Sequence, residues 1–143
     1  MRMVVIAEVD SKEDFGIELA EEFERKIKSV DTSDYARFFN SECPNWSKDA
    51  ELNLAFLKHS ERYASEVLKN KGYLFLNDVY DILGFSRSQA GQVVGWIYDE
   101  KNPVGDNYVD FDIYSERNQG FINGSNDSAL LDFNVDGIII DKI

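Results

Sequence analysis

Lys48–Asn70 reads KDAELNLAFLKHSERYASEVLKN, and this stretch decides the fold. It holds neither Gly nor Pro and is rich in Ala, Leu, Glu and Lys, which lose little on entering a helix. Gly72 follows where such a helix would stop. At 100° per residue, Leu52, Ala55, Phe56, His59, Tyr63 and Val67 share one face. Leu57, Ala64 and Leu68 make a second stripe beside it. Two stripes predict a central helix packed on two sides, with Phe56 in the core and His59 as a semi-buried packing residue.

Upstream, Met3–Val9 (MVVIAEV) predicts a short strand of β-branched residues. Asp10 or Ser11 then caps an amphipathic helix whose apolar stripe is Phe15, Leu19, Phe23 and Ile27. Asp31–Asp34 supplies a second cap signal, and Tyr35, Phe38 and Phe39 predict a short aromatic helix that Cys43-Pro44-Asn45 breaks. Downstream, Asn77 is expected to cap a helix over Asp78–Leu83, with Gly84 as its stop. Ser86 is expected to cap another over Arg87–Val94. After Trp96 the period changes from 3.6 to 2. Tyr108–Tyr114 (YVDFDIY) alternates Val109, Phe111 and Ile113 with Asp110 and Asp112, and Ala129–Val135 alternates similarly. A last strand is expected at Ile138–Ile140. Ser115–Ser128 reads as a long turn-rich loop.

Helices first and strands later predict an α+β fold: a helical first two-thirds around one long central helix, and a small, mainly antiparallel sheet from the last third, joined by the N-terminal strand. The length of 143 residues suits a single domain over 1–143.

Composition narrows the function. Aromatic residues make up 13% of the chain, far too many for a disordered acidic segment. The single cysteine, Cys43, excludes an intrachain disulfide. No apolar run approaches the roughly 20 residues of a membrane span. Net charge is −12, and residues 99–143 alone carry ten acids against three bases. That field repels phosphate backbones and anionic lipid, so no direct nucleic-acid or membrane partner is expected, and it favours a basic protein partner.

The chemical motifs are weak. Asn77–Val94 has the outline of a helix-turn-helix, but its second helix offers only Arg87 and Gln92 to bases, so a packing corner is the better reading. Asp132, Asn134 and Asp136 echo the start of a calcium loop, where alternate oxygens converge on a hard cation. The twelfth position is Ile143 rather than Glu, so these three are weak metal candidates. Asp110 and Asp112 on one strand face could hold a metal for hydrolysis only together with that second strand. His59 has no nucleophile and no orienting group in view. No catalytic residue, resident metal or cofactor is assigned. The segment around Asn102–Asn107, flanked by Trp96, Tyr98 and Tyr108, combines aromatics with polar loop residues as contact surfaces do. The candidate binding residues are therefore Trp96, Tyr98, Asp106, Asn107, Tyr108, Asp110 and Asp112.

Several strings carry a resemblance: Tyr35–Phe39 (YARFF), Pro44-Asn45-Trp46, Leu74–Gly84 (LFLNDVYDILG), Ala90–Trp96 (AGQVVGW), Gly105–Phe111 (GDNYVDF) and Leu131–Gly137 (LDFNVDG). They resemble the C-terminal domain of an uncharacterised family of bacteriophage and prophage proteins, over about residues 35–137. Longer members that it resembles carry a hydrophobic N-terminal segment, and this chain has a soluble strand-and-helix pattern there instead. The resemblance implies a phage protein in the cytoplasm of an infected bacterial host, or in the virion, and implies no activity. The leading expectation is a non-enzymatic module that binds a basic host protein handling nucleic acid or defence, in the manner of an anti-CRISPR inhibitor. The alternatives are a virion structural or assembly protein, which would form homo-oligomers, and a metal-dependent hydrolase using the strand aspartates.

Overall fold

A computed structural model describes residues 32–143. By its internal contacts the chain divides into two units, Met1–Ala36 and Arg37–Ile143. The strand expected at Met3–Val9 and the helix expected over Phe15–Ile27 lie outside the described residues. The second unit is an α+β fold built on a long helix, two shorter ones and two small antiparallel sheets.

The long helix, α1, spans Ala50–Lys71. Asp49 caps it by accepting the Glu51 amide at 2.9 Å. Gly72, at φ 90°, closes it by donating to the Leu68 carbonyl. Among the described residues, the helix is buried on one side rather than two. Its inward stripe is Asn53, Leu57, Ser60, Ala64 and Leu68. Leu52 and Tyr63 are 58% and 50% exposed, His59 is exposed too, and Phe56 is half-buried. The expected first face is thus the outer flank, and His59 is not a packing residue. The second stripe read from the sequence, Leu57, Ala64 and Leu68, is this inward face, and its other two positions escaped the reading because they are polar. Asn53 can be buried because its side chain forms a closed pair with Ser47, accepting its amide and donating to its carbonyl, both at 2.8 Å.

Arg37–Phe39 is a strand, β1, and not the helix expected from Tyr35, Phe38 and Phe39. The Ser33 carbonyl and hydroxyl tie the preceding residues into a turn. The aromatic pair then extends alongside β4, Ala129–Leu131, in an antiparallel register that sets Arg37 against Leu131 and Phe39 against Ala129. Phe39 stacks on Phe56 at 5.7 Å and meets Phe121 edge-on at 6.1 Å.

Strand β2 (Tyr73–Phe75) leads directly into α2 (Leu76–Leu83). Asn77 lies inside α2 and does not cap it. The Asp78 carboxylate accepts the Phe75 amide at 3.2 Å instead. The freed Asn77 side chain reaches Ser88, donating to its carbonyl and accepting its amide, both at 2.9 Å. That pair holds Phe85–Gln89 as a loop. Only a single 3-10 turn, Ala90–Gln92, forms where a helix over Arg87–Val94 was expected. Val94–Ile97 is strand β3, because its two hydrophobic sides are both covered. β3 is the middle of the second sheet, between β2 and β5 (Gly137–Ile138). Gly95 is required there: a Cβ would fall on the Leu74 carbonyl oxygen of β2, which the strand pairing fixes.

The region expected as a loop, Ser115–Ser128, contains a 3-10 turn at Glu116–Asn118 and a short helix, α3, at Gln119–Asn123. Buried Phe121 gives α3 its reason to form. Strands therefore come from along the whole described chain. The core they enclose with α1 holds Leu57, Leu68, Leu76, Leu83, Trp96, Phe111, Leu131 and Ile139, each fully buried.

A candidate protein-binding segment

The alternation in Tyr108–Tyr114 is real, since Val109, Phe111 and Ile113 are all buried. The strand is not. The segment belongs to no sheet: backbone amides of Asp132 and Asn134 reach only the Phe111 and Asp110 carbonyls, at 3.1 and 3.4 Å, and side chains bond the other groups described next. Ser65 on α1 accepts the Val109 amide at 2.9 Å and donates back to its carbonyl at 3.3 Å. Glu61, one turn earlier, accepts the Phe111 amide at 2.8 Å. The Asp110 carboxylate takes the amide of Asp112, whose φ of 57° turns the chain away from an extended course.

Asn134 completes the set. Its Oδ1 accepts the Trp96 indole N–H at 2.9 Å and the Asp110 amide at 2.7 Å. Its Nδ2 donates to the Asp106 carboxylate and to the Tyr108 carbonyl, both at 3.0 Å. Four bonds use the full capacity of a primary amide. Asn134 therefore ties the buried tryptophan of β3 to the exposed segment.

The adjoining loop is closed in the same manner. The Asn107 side chain, on a backbone at φ 66°, accepts the Asp99 amide and donates to the Asp99 carbonyl, both at 3.1 Å. Asp136 accepts the Ile97 amide at 2.8 Å and packs so close to Gly105 that a Cβ there would strike its carboxylate. Burial, with Asp106 nearby, pushes the Asp136 carboxyl above its ordinary range.

The result is a preorganised surface run. Residues 99–116 carry six acids and one lysine. Tyr108 is 51% and Tyr114 56% exposed, and Tyr98 is half-buried with its hydroxyl on Glu100. Asp110, Asp112, Asp132, Phe133 and Asn134 line a small open cleft of about 160 Å³. Arg117 makes an ion pair with Asp112 at 2.7 Å.

Of the residues singled out in the sequence, Asp106, Tyr108 and Asp110 meet at Asn134, and Asp112 borders the same cleft. Tyr98 and Asn107 hold the adjoining loop. Trp96 is an exception: its ring is fully buried, so it supports the segment from beneath and offers no surface to a partner. Asp132 lines the cleft, whereas Asp136 is committed to Ile97 and Gly105. Among the described residues, no group of three or more His, Cys, Asp or Glu side chains is placed to hold a metal ion. Sequence reasoning missed Glu61, Ser65 and Arg117. A carboxylate beside the Leu57–Ala64–Leu68 stripe was the available signal for Glu61.

Residues 5–143 match a family of unknown function, DUF6353. The chain belongs to it. The match reaches beyond both ends of the stretch that carried the phage resemblance, so membership of DUF6353 covers the binding segment, all of the described fold and most of the residues before it. No curated protein and no solved structure matches. Among the described residues, no helix is long and apolar enough to cross a membrane.

Proposed function

We propose that this member of DUF6353 is a non-enzymatic, phage-encoded module that binds a basic surface of another protein through residues 98–114. The observation that carries the reading is the segment itself: five acids and exposed tyrosines on a backbone fixed by Asn134, Ser65 and Glu61 rather than left mobile. Fixed acids steer a basic partner into contact, and rigid tyrosines supply contact area at low entropic cost. A host protein that handles nucleic acid, a defence nuclease among them, presents the complementary basic groove, and the infected host's cytoplasm is where the two would meet.

The experiment is capture from host lysate at low and high salt, with wild type and with Asp106→Asn/Asp110→Asn/Asp112→Asn. Amides keep the acceptor oxygens that the backbone uses, so the fold should survive. A basic protein retained by wild type at low salt, and lost both in high salt and with the triple variant, is the expected result. Partners recovered equally by both proteins at both salts would defeat the reading. The assembly alternative draws on a different observation, the exposed Leu52 and Tyr63 on α1 and Ile138, Ile140 and Ile143 near β5. Self-association that grows with concentration would favour it.

A further inference from the structure

The outer flank of α1 carries an apolar stripe that is left open among the described residues. Leu52 is 58% and Tyr63 50% exposed. Ala55 and His59 between them are exposed as well, and Phe56 and Val67 are half-buried. The stripe runs along most of the helix, about 22 Å from Leu52 to Val67. It lies away from the acidic segment. Tyr63 sits about 160° around the helix axis from both Glu61 and Ser65, which hold Tyr108–Tyr114 on the other side. α1 also differs in charge from the chain as a whole. It carries three acids and four bases, in a molecule of net charge −12. Those charges are sorted along its length. Asp49 and Glu51 are exposed at its start, and Lys69 and Lys71 at its end.

We propose that this stripe is a dimer contact, occupied by the same stripe of a second copy that runs antiparallel to it about a two-fold axis near His59. Contiguous exposed apolar side chains mark an interaction surface, and a two-fold contact uses one patch on both copies. Charge selects a second copy and sets its direction. With its bases in slight excess, α1 lets two molecules of net charge −12 approach without a surplus of acids between them. Antiparallel pairing sets the acidic start of each helix beside the basic end of the other. Parallel pairing would set like ends together and align the two helix dipoles. One helix face offers less than the roughly 800 Å² per partner of a standard interface, so the dimer is weak and forms in the micromolar range or above. The contact closes at two copies, unlike the open-ended association of an assembly protein. It leaves residues 98–114 of both copies uncovered, so it goes beyond the binding reading and does not rest on it.

The test is sedimentation equilibrium of the full chain from low micromolar to millimolar concentration. The mass should rise with concentration and level off at two copies. Leu52→Glu/Tyr63→Glu should stay monomeric over the same range with an unchanged melting temperature, because both side chains are exposed in the single chain. Glu51→Lys alone should weaken dimerisation by roughly threefold to tenfold, since one reversal acts twice in a two-fold contact. Glu51→Lys combined with Lys69→Glu should restore it. A monomer at millimolar concentration would overturn the proposal and leave the stripe to a different protein or to another part of this chain. So would a dimer that survives Leu52→Glu/Tyr63→Glu, a combined reversal no tighter than the single one, or a mass that climbs past two copies. Capture of a basic protein through residues 98–114 is a separate measurement, so neither result decides the other.

Discussion

Asn134→Asp, which exchanges an NH2 group for an oxygen, is expected to release the binding segment and lower stability by roughly 2–4 kcal/mol. The aspartate keeps the acceptor for Trp96 and for the Asp110 amide. It cannot donate to the Asp106 carboxylate or to the Tyr108 carbonyl, which Asn134 contacts at 3.0 Å. It also sets a second negative charge against Asp106. Asn134→Ala should cost a similar amount for a different reason, because it leaves the indole N–H of a fully buried Trp96 without its acceptor. Urea denaturation measures the loss. Amide spectra should place the largest changes at Tyr108 and Asp110. Wild-type stability in both variants would mean that the segment is held by its buried side chains alone.

Leu57→Ala is expected to destabilise the fold by about 2–5 kcal/mol, since Leu57 is fully buried on the inward stripe of α1 and its loss leaves a cavity. Phe56→Ala should cost distinctly less. Phe56 is half-buried, and its truncation removes mainly the stack on Phe39 at 5.7 Å. The expectation from the sequence places Phe56 in the core on one packed stripe and Leu57 on the other. Thermal or urea unfolding of the two variants decides the matter, and a larger loss for Phe56→Ala would show that α1 turns its other face to the core.

These two sites mark where the sequence was readable. The α+β class, the extent of α1 and its Gly72 stop were legible, because helix period and breakers are local signals. The rotation of α1 was not, because Asn53 and Ser60 occupy buried positions, and for Asn53 only tertiary hydrogen bonds reveal why. The strand at Arg37–Phe39 was hidden for a related reason. Its partner, Ala129–Leu131, lies about ninety residues away, and pairing at that distance leaves no local mark. In Tyr108–Tyr114 the alternation correctly predicted burial of Val109, Phe111 and Ile113 but not the absence of a ladder, since period 2 reports alternate burial and not hydrogen bonding. The acids and tyrosines of the binding segment were visible as a run. The residues that fix them in place, Asn134, Glu61 and Ser65, come from elsewhere in the chain.

Whether residues 98–114 form a fixed acidic face for a basic protein surface can be decided by titrating the isotope-labelled full chain with an oligoarginine peptide, at low and near-physiological salt, and following every amide. We expect saturable shifts concentrated at Tyr98, Asp106, Tyr108, Asp110 and Asp112. These should weaken strongly at the higher salt, where exposed charges are screened beyond about 8 Å, and shrink in Asp106→Asn/Asp110→Asn/Asp112→Asn. Shifts of equal size at acids all over the surface, or none on the segment at low salt, would contradict the acidic-face reading.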